Sequence, residues 1–228
     1  MYLINNSVLQ YSIGRDGSTL IVQILRKLCG NVNKEHSDGL NQLDWLINNG
    51  NLVVTTLRNP VDCFFSHFRT AYPEQFSCLV EERLGKFKKS QIRLLRLDSH
   101  RDFFKDRYKI FCSVCKNNKD STLQLKYEKF YNDYEYIFDK FEKFFSVKIN
   151  DELRHEIKHD TSLKKNLKLQ TGLKELAEHD MVSGIHGDHI AYPEICGYRK
   201  LLAPNVISWA ERSFESEIKF WELYDETI

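Results

Sequence analysis

The chain of 228 residues lacks the features that mark several classes of protein. Its 33 Lys and Arg residues are balanced by 32 Asp and Glu, so the formal net charge is only +1 and composition indicates no nucleic-acid partner. The sequence has neither a run of 18 apolar residues nor an apolar leader, which predicts no membrane insertion. Internal repeats and low-complexity segments are also absent. The length suits a single domain over residues 1–228.

Cysteine is scarce, and its positions show no disulfide framework. The six residues are Cys29, Cys63, Cys78, Cys112, Cys115 and Cys196. Only Cys112 and Cys115 have metal-ligand spacing, and a zinc site usually needs a second such pair, so no metal site is expected. We therefore predict reduced thiols and a cytoplasmic protein, with Cys112 and Cys115 packed in a core.

Two units of the sequence consist of a strand, a turn and a helix. The first has an apolar strand over residues 7–13 and a helix over residues 19–28. The second has a strand rich in Val and Thr over residues 51–57 and a helix that ends near residue 70. The second helix begins with residues that favour the N-cap, N1 and N3 positions, namely Asn59, Pro60 and Asp62.

The rest of the chain alternates in the same way. We predict a helical insertion over residues 79–118, a third strand over 123–127 and an amphipathic helix over 134–145. A lysine-rich cover segment over 151–182 precedes a last helix over 204–224. This alternation predicts an α/β fold with a central, mostly parallel sheet covered on both faces, that is, three layers with a helical insertion.

The first turn, Gly14-Arg15-Asp16-Gly17-Ser18-Thr19, has the composition of an anion-binding loop. Free backbone N–H groups at a helix N-terminus favour phosphate or sulfate, and Arg15, Ser18 and Thr19 add side-chain donors. The loop lacks the lysine of the GxxxxGK[ST] pattern. The second strand is followed by Arg58 and not by an acidic magnesium ligand, which disfavours ATP or GTP chemistry.

A second motif begins at Arg58 and continues Asn59-Pro60-Val61-Asp62, with Ser66 eight positions after Arg58. The two motifs together resemble the PAPS-dependent sulfotransferase family, whose loop reads P-[KR]-S-G-[ST]-T and whose second motif reads R-[ND]-P-x-D-x-x-x-S. Taken with the anion-binding loop, the resemblance indicates that the α/β fold is P-loop NTPase-like. The resemblance implies transfer of a sulfuryl group from 3′-phosphoadenosine 5′-phosphosulfate (PAPS) to a hydroxyl or amine. The product nucleotide would be PAP, the acceptor a carbohydrate or a small metabolite, and no metal would be required.

The resemblance also implies roles for individual residues. Arg15, Gly17, Ser18 and Thr19 would hold the 5′-phosphosulfate, and Arg58 and Ser66 would bind the 3′-phosphate. Tyr127, in a segment like the family's Y-E-D-L, would lie near the adenine, and Arg199, in Gly197-Tyr198-Arg199-Lys200, would reach the 3′-phosphate.

Two residues depart from the family pattern. Asp16 belongs to the cofactor-binding loop but stands where a serine is common, and its charge would repel the donor unless the side chain turns away. Leu20 stands where many family members have a tryptophan that stacks on adenine.

Lys34-Glu35-His36 resembles the family's K-[TS]-H segment, and His36 lies 22 residues before Arg58. The resemblance implies that His36 is the general base, and a neutral imidazole suits this role near physiological pH. Lys34 and Arg15 would balance negative charge on the leaving phosphate. Glu35 is the alternative base.

Other interpretations stay open from sequence alone. A small-molecule kinase of the P-loop class is the first, and a catalytically degenerate module that binds PAP or PAPS is the second. Residues 83–119 contain 12 Lys or Arg and three Asp. This excess fits either a solvated helical face or a surface for an anionic acceptor.

Overall fold

The structure is a computed structural model that describes most of the chain. The described residues are 2–5, 7–14, 16–35, 52–84, 97–118, 121–173 and 197–223, together with Glu178, Asp180, Ser183, Ile185 and Ile195. The predicted site residues Arg15 and His36 lie outside this set, as do the side chains of Glu35 and Cys115.

Four parallel strands form the sheet, in the order β2-β1-β3-β4. Their bounds are β1 Val8–Tyr11, β2 Val32–Glu35, β3 Leu52–Leu57 and β4 Thr122–Lys126. β2 was not predicted, because a short polar strand gives no periodicity signal and is defined by its pairing with β1. Parallel pairing requires crossover connections, and α1 supplies the one between β1 and β2.

The described helices begin with α1 (Ser18–Cys29), α2 (Pro60–Ala71), α3 (Pro73–Arg83) and α4 (Leu97–Asn117). After β4 follow α5 (Tyr127–Phe130), α6 (Tyr134–Phe145), α7 (Asp151–Asp160) and α8 (Leu163–Thr171). The last three are α9 (Tyr198–Leu201), α10 (Pro204–Ser213) and α11 (Glu215–Leu223).

The two faces of the sheet are covered by separate apolar clusters, which gives the three predicted layers. Because successive strand residues point to opposite faces, Val54 joins one cluster and Val53 the other. The Val54 cluster includes the apolar sides of α1 and α6, and the Val53 cluster includes those of α2, α4 and α10. The predicted fold class is confirmed, with the described strands entirely parallel.

Two predicted helical boundaries are wrong. The helical segment predicted from residue 79 begins earlier, because α3 starts at Pro73, a residue that favours the first helical turn. The predicted last helix is broken between α10 and α11 at Phe214, which leaves helical geometry with φ −106°. Phe214 is fully buried, and its ring packs 5.2 Å from that of Phe64. Tertiary packing therefore overrides the helical pattern.

Cys29, Cys63, Cys78 and Cys112 are free thiols, and Cys112 is buried as predicted. Among the described residues, no helix is both long and apolar enough to cross a membrane.

Candidate active site

The turn between β1 and α1 exposes the N-terminus of α1 at the carboxyl end of the sheet. Gly17 is the N-cap residue, and its φ of 85° is a left-handed conformation that glycine adopts without strain. A Cβ atom at Gly17 would lie 2.7 Å from the Tyr127 ring and 2.8 Å from the Phe130 ring. The turn therefore requires glycine for both its conformation and its close packing.

Asp16 turns into the protein and is fully buried. Its Oδ1 accepts a 3.4 Å hydrogen bond from the Ser18 backbone N–H, and its buried Oδ2 has no hydrogen bond of ordinary geometry. Burial raises the pKa of Asp16 from 3.8 to about 6, although Thr56, backbone N–H groups and Lys34 favour the charged form. The Asp16 side chain is thus buried and turned away from the surface that could face a ligand.

β2 brings Lys34 to the loop. Lys34 Nζ donates a 2.9 Å hydrogen bond to the Thr19 hydroxyl in the first turn of α1. The lysine is placed there because β2 pairs with β1 in register, Lys34 opposite Gln10. An ammonium group, a hydroxyl and the N-terminus of α1 therefore meet at one point.

Arg58 follows β3 and is 7% exposed. Its Nη2 lies 3.9 Å from Asp62 Oδ2, and its guanidinium carbon lies 4.4 Å from the centre of the Tyr127 ring. Burial opposes the charged form, but nearby groups that include Tyr127 and Asp62 outweigh it, so the pKa of Arg58 is raised. The guanidinium is therefore charged and held against Tyr127.

Asn59 fixes the start of α2 as predicted. Its Oδ1 accepts hydrogen bonds from the backbone N–H groups of Val61 (2.9 Å) and Asp62 (3.4 Å). Its own backbone N–H donates to Glu128 Oε1 at 2.8 Å, which ties this turn to the segment after β4. Burial raises the pKa of Glu128.

These elements enclose a cavity of about 300 Å³, a size typical of small-molecule sites. One wall carries Gly17, Thr19 and Leu20. The second carries residues of the turn before α2 and of α2 itself, namely Arg58, Asp62, Phe65, Ser66 and Arg69. The third carries Tyr127, Phe130, Tyr131, Asn132 and Tyr134. The turn between α7 and α8 contributes Thr161 and Ser162, and α8 contributes Leu163 and Asn166.

Solved structures match nearly the whole chain in three dimensions, among them the two that follow. That of mouse sulfotransferase SULT7A1 complexed with PAP has a TM-score of 0.61 at 12% identity, covering 99% of this chain and 91% of that one. That of retinol dehydratase in complex with androsterone and inactive cofactor PAP has a TM-score of 0.63 at 13% identity, covering 100% and 85%. The fold is sulfotransferase-like. No protein-family model and no curated protein matches the sequence.

Within this sulfotransferase-like fold, the structure brings together five residues singled out from sequence. Gly17, Thr19, Arg58, Ser66 and Tyr127 line the one cavity, although they come from three separate segments. Their donor set of hydroxyls, a guanidinium and a helix N-terminus suits an anionic ligand.

Three other predicted residues lie away from the cavity surface. Asp16 and Ser18 are buried in the turn and do not line the cavity. Arg199 is exposed and pairs with Glu211 of α10, and its backbone oxygen accepts a 3.0 Å hydrogen bond from Arg83. Its neighbour Tyr198 lines the cavity instead.

Several cavity residues were not found from sequence. Arg69 lies three positions after Ser66 on α2, and this helical spacing is a usable signal. Asn166 had no local signal, because its place depends on a buried amide pair with Gln23, 143 residues away. Gln23 Nε2 donates to Asn166 Oδ1 at 3.2 Å, and Asn166 Nδ2 donates to Gln23 Oε1 at 3.1 Å. This pair holds the start of α8 against α1.

Proposed function

We propose that the protein is a PAPS-dependent sulfotransferase. The observation that carries the proposal is the single cavity shared by the α1 turn, Arg58, Ser66 and Tyr127 in a sulfotransferase-like fold. Both matching structures contain PAP, which supports a 3′-phosphorylated adenine nucleotide as the ligand class. Arg58 and Ser66 bind the 3′-phosphate, and the α1 turn binds the 5′-phosphosulfate.

Bound PAPS would supply an activated sulfuryl group on its 5′-phosphate. His36 would accept the proton of the acceptor hydroxyl or amine as that atom forms its bond to sulfur, and PAP would leave with the electrons of the broken bond between sulfur and the 5′-phosphate oxygen. Lys34 and Arg15 would balance the charge that develops on this oxygen, and Thr19 would donate a hydrogen bond toward it. The position of Lys34 at Thr19 supports its role. Glu35 is the second candidate base.

The proposal extends to the metal requirement and the acceptor. The reaction needs no bound metal, and the acceptor is a small metabolite or a carbohydrate. The excess of Lys and Arg in the sequence of residues 83–119 would suit an acceptor that carries an anionic group. The free thiols favour a reducing, cytoplasmic location.

Calorimetric titration tests the proposed cofactor. In buffer with a chelator, PAP should bind, and adenosine 5′-phosphosulfate, which lacks the 3′-phosphate, should bind more weakly. Binding of ATP that requires magnesium, without binding of PAP, would contradict the proposal and favour a kinase. PAP binding without turnover of PAPS on a broad acceptor panel would favour the degenerate module.

His36→Ala tests the proposed base. Removal of a general base should lower turnover about 10²- to 10⁴-fold and leave PAP affinity nearly unchanged. Glu35→Gln is the matched variant, and it should retain most of the activity. The reverse pattern would assign the role to Glu35.

A further inference from the structure

The described residues that line the cavity carry too little positive charge to balance the negative charge of a nucleotide with two phosphate groups. Among its described lining residues, only Arg58, Asp62 and Arg69 carry formal charge. The Arg58–Asp62 pair, with side chains 8% and 1% exposed, adds no net charge to the wall. The net positive charge of this wall therefore comes from Arg69.

Helix geometry directs Arg69 toward the same region as Ser66. Asp62, Ser66 and Arg69 occupy positions i, i+4 and i+7 of α2, which form one stripe, and all three line the cavity. The opposite side of α2 carries Phe64 and Phe68, which are fully buried in the core. The orientation of α2 is thus set by its apolar side, and Arg69 follows Ser66 by one turn.

We propose that Arg69 is a specificity residue that recognises the 3′-phosphate of the nucleotide together with Arg58 and Ser66. This inference rests on the proposed function. A guanidinium binds a phosphate oxygen pair through two parallel N–H donors, and it remains charged at every physiological pH. The Asp62 carboxylate reduces the attraction of Arg58 for a dianion, and Arg69 restores it.

The presence of Arg69 in the last turn of α2 could also be explained by helix stability. Cations near a helix C-terminus stabilise the helix through its dipole, and this effect needs no ligand. The two roles differ in what they predict, because helix stabilisation affects unfolding and affects all nucleotides equally. A ligand pair that differs only in the 3′-phosphate separates them.

The test compares PAP with adenosine 5′-monophosphate, which lacks only the 3′-phosphate, by calorimetry on the full chain. Arg69→Met should weaken PAP binding about 10- to 100-fold, the range for a lost charge-assisted contact, and change the affinity for the monophosphate less than about 2-fold. Arg69→Lys should recover part of the loss. Arg212→Met, an exposed arginine of α10 away from the cavity, is the control for lost charge.

The outcomes separate the two proposals. If wild type prefers PAP and Arg69→Met retains that preference, the role of Arg69 is refuted and the proposed function stands. Equal weakening of both nucleotides would assign Arg69 to helix stability. If wild type has no preference for PAP, the proposed function fails, and the role of Arg69 fails with it.

Discussion

Replacing Asp16 with asparagine should stabilise the protein at neutral pH. The asparagine side chain keeps an oxygen to accept from the Ser18 N–H and places an N–H₂ group near Thr56, whose hydroxyl can accept a hydrogen bond. The change removes an ionisation that the fully buried site disfavours. PAP binding should persist, because the Asp16 side chain does not line the cavity.

The magnitude follows from the pKa of Asp16. The ordinary value is 3.8 and the folded value is about 6, so ionisation at pH 7.5 costs the folded state about 3 kcal/mol. Because the folded pKa is the higher one, the folded state binds the proton more tightly. The stability that comes from this tighter proton binding is lost as pH rises from about 4 to about 6. At pH 5 about half of the cost is present, or about 1.5 kcal/mol.

Urea unfolding followed by circular dichroism at pH 5 and pH 7.5 measures this effect. The free energy of unfolding of Asp16→Asn should exceed that of wild type by about 1.5 kcal/mol at pH 5 and about 3 kcal/mol at pH 7.5. Other titrating groups, Glu128 among them, affect both proteins equally and cancel. Asp106→Asn, on the exposed side of α4, is the control and should change stability by less than about 0.5 kcal/mol. If Asp16→Asn raised the free energy of unfolding equally at both pH values, or lowered it at pH 7.5, burial would not penalise the Asp16 carboxylate as described.

Two further predictions concern buried polar groups. Gln23→Leu removes the donor to the buried Asn166 Oδ1, while Asn166 Nδ2 keeps its hydrogen bond to the Thr161 carbonyl. The free energy of unfolding, measured with urea, should fall by about 1–3 kcal/mol, and an unchanged value would show that the pair is not formed. Burial lowers the pKa of His100 from 6.5, so the unfolded state takes up the proton first and wild type loses stability as pH falls through 6.5. His100→Phe should therefore show a smaller decrease in Tm between pH 7.5 and pH 5.5 than wild type. An equal decrease would show that His100 does not cause the loss of stability at low pH.

Local sequence signals predicted the parts of the fold that depend on local chemistry. The Asn59 side chain caps α2 as expected, because an acceptor two to three residues before free N–H groups forms the same contacts in any protein. The turn at Gly17 was also predicted, because glycine between an apolar strand and a helix is a local signal for a turn. The parallel sheet followed from the alternation of strands and helices.

The remaining features depend on contacts between distant segments. β2 exists as a strand because β1 pairs with it, and Phe214 ends α10 because its ring fills a space beside Phe64. The electrostatic environment of the buried Asp16 carboxylate includes Thr56 of β3, 40 residues away. The Asn166 side chain is held at the cavity partly by its pair with the distant Gln23. No window of local sequence contains these partners.

If the cavity beside Arg58 binds PAP, titration of PAP should detect a difference between wild type and Arg58→Ala. Arg58→Lys serves as a control that keeps a positive charge beside Asp62, and circular dichroism confirms that each variant is folded. We expect metal-independent binding to wild type and an affinity about 10- to 100-fold lower for Arg58→Ala. Equal affinity for wild type and Arg58→Ala, or no binding to wild type, would contradict this expectation.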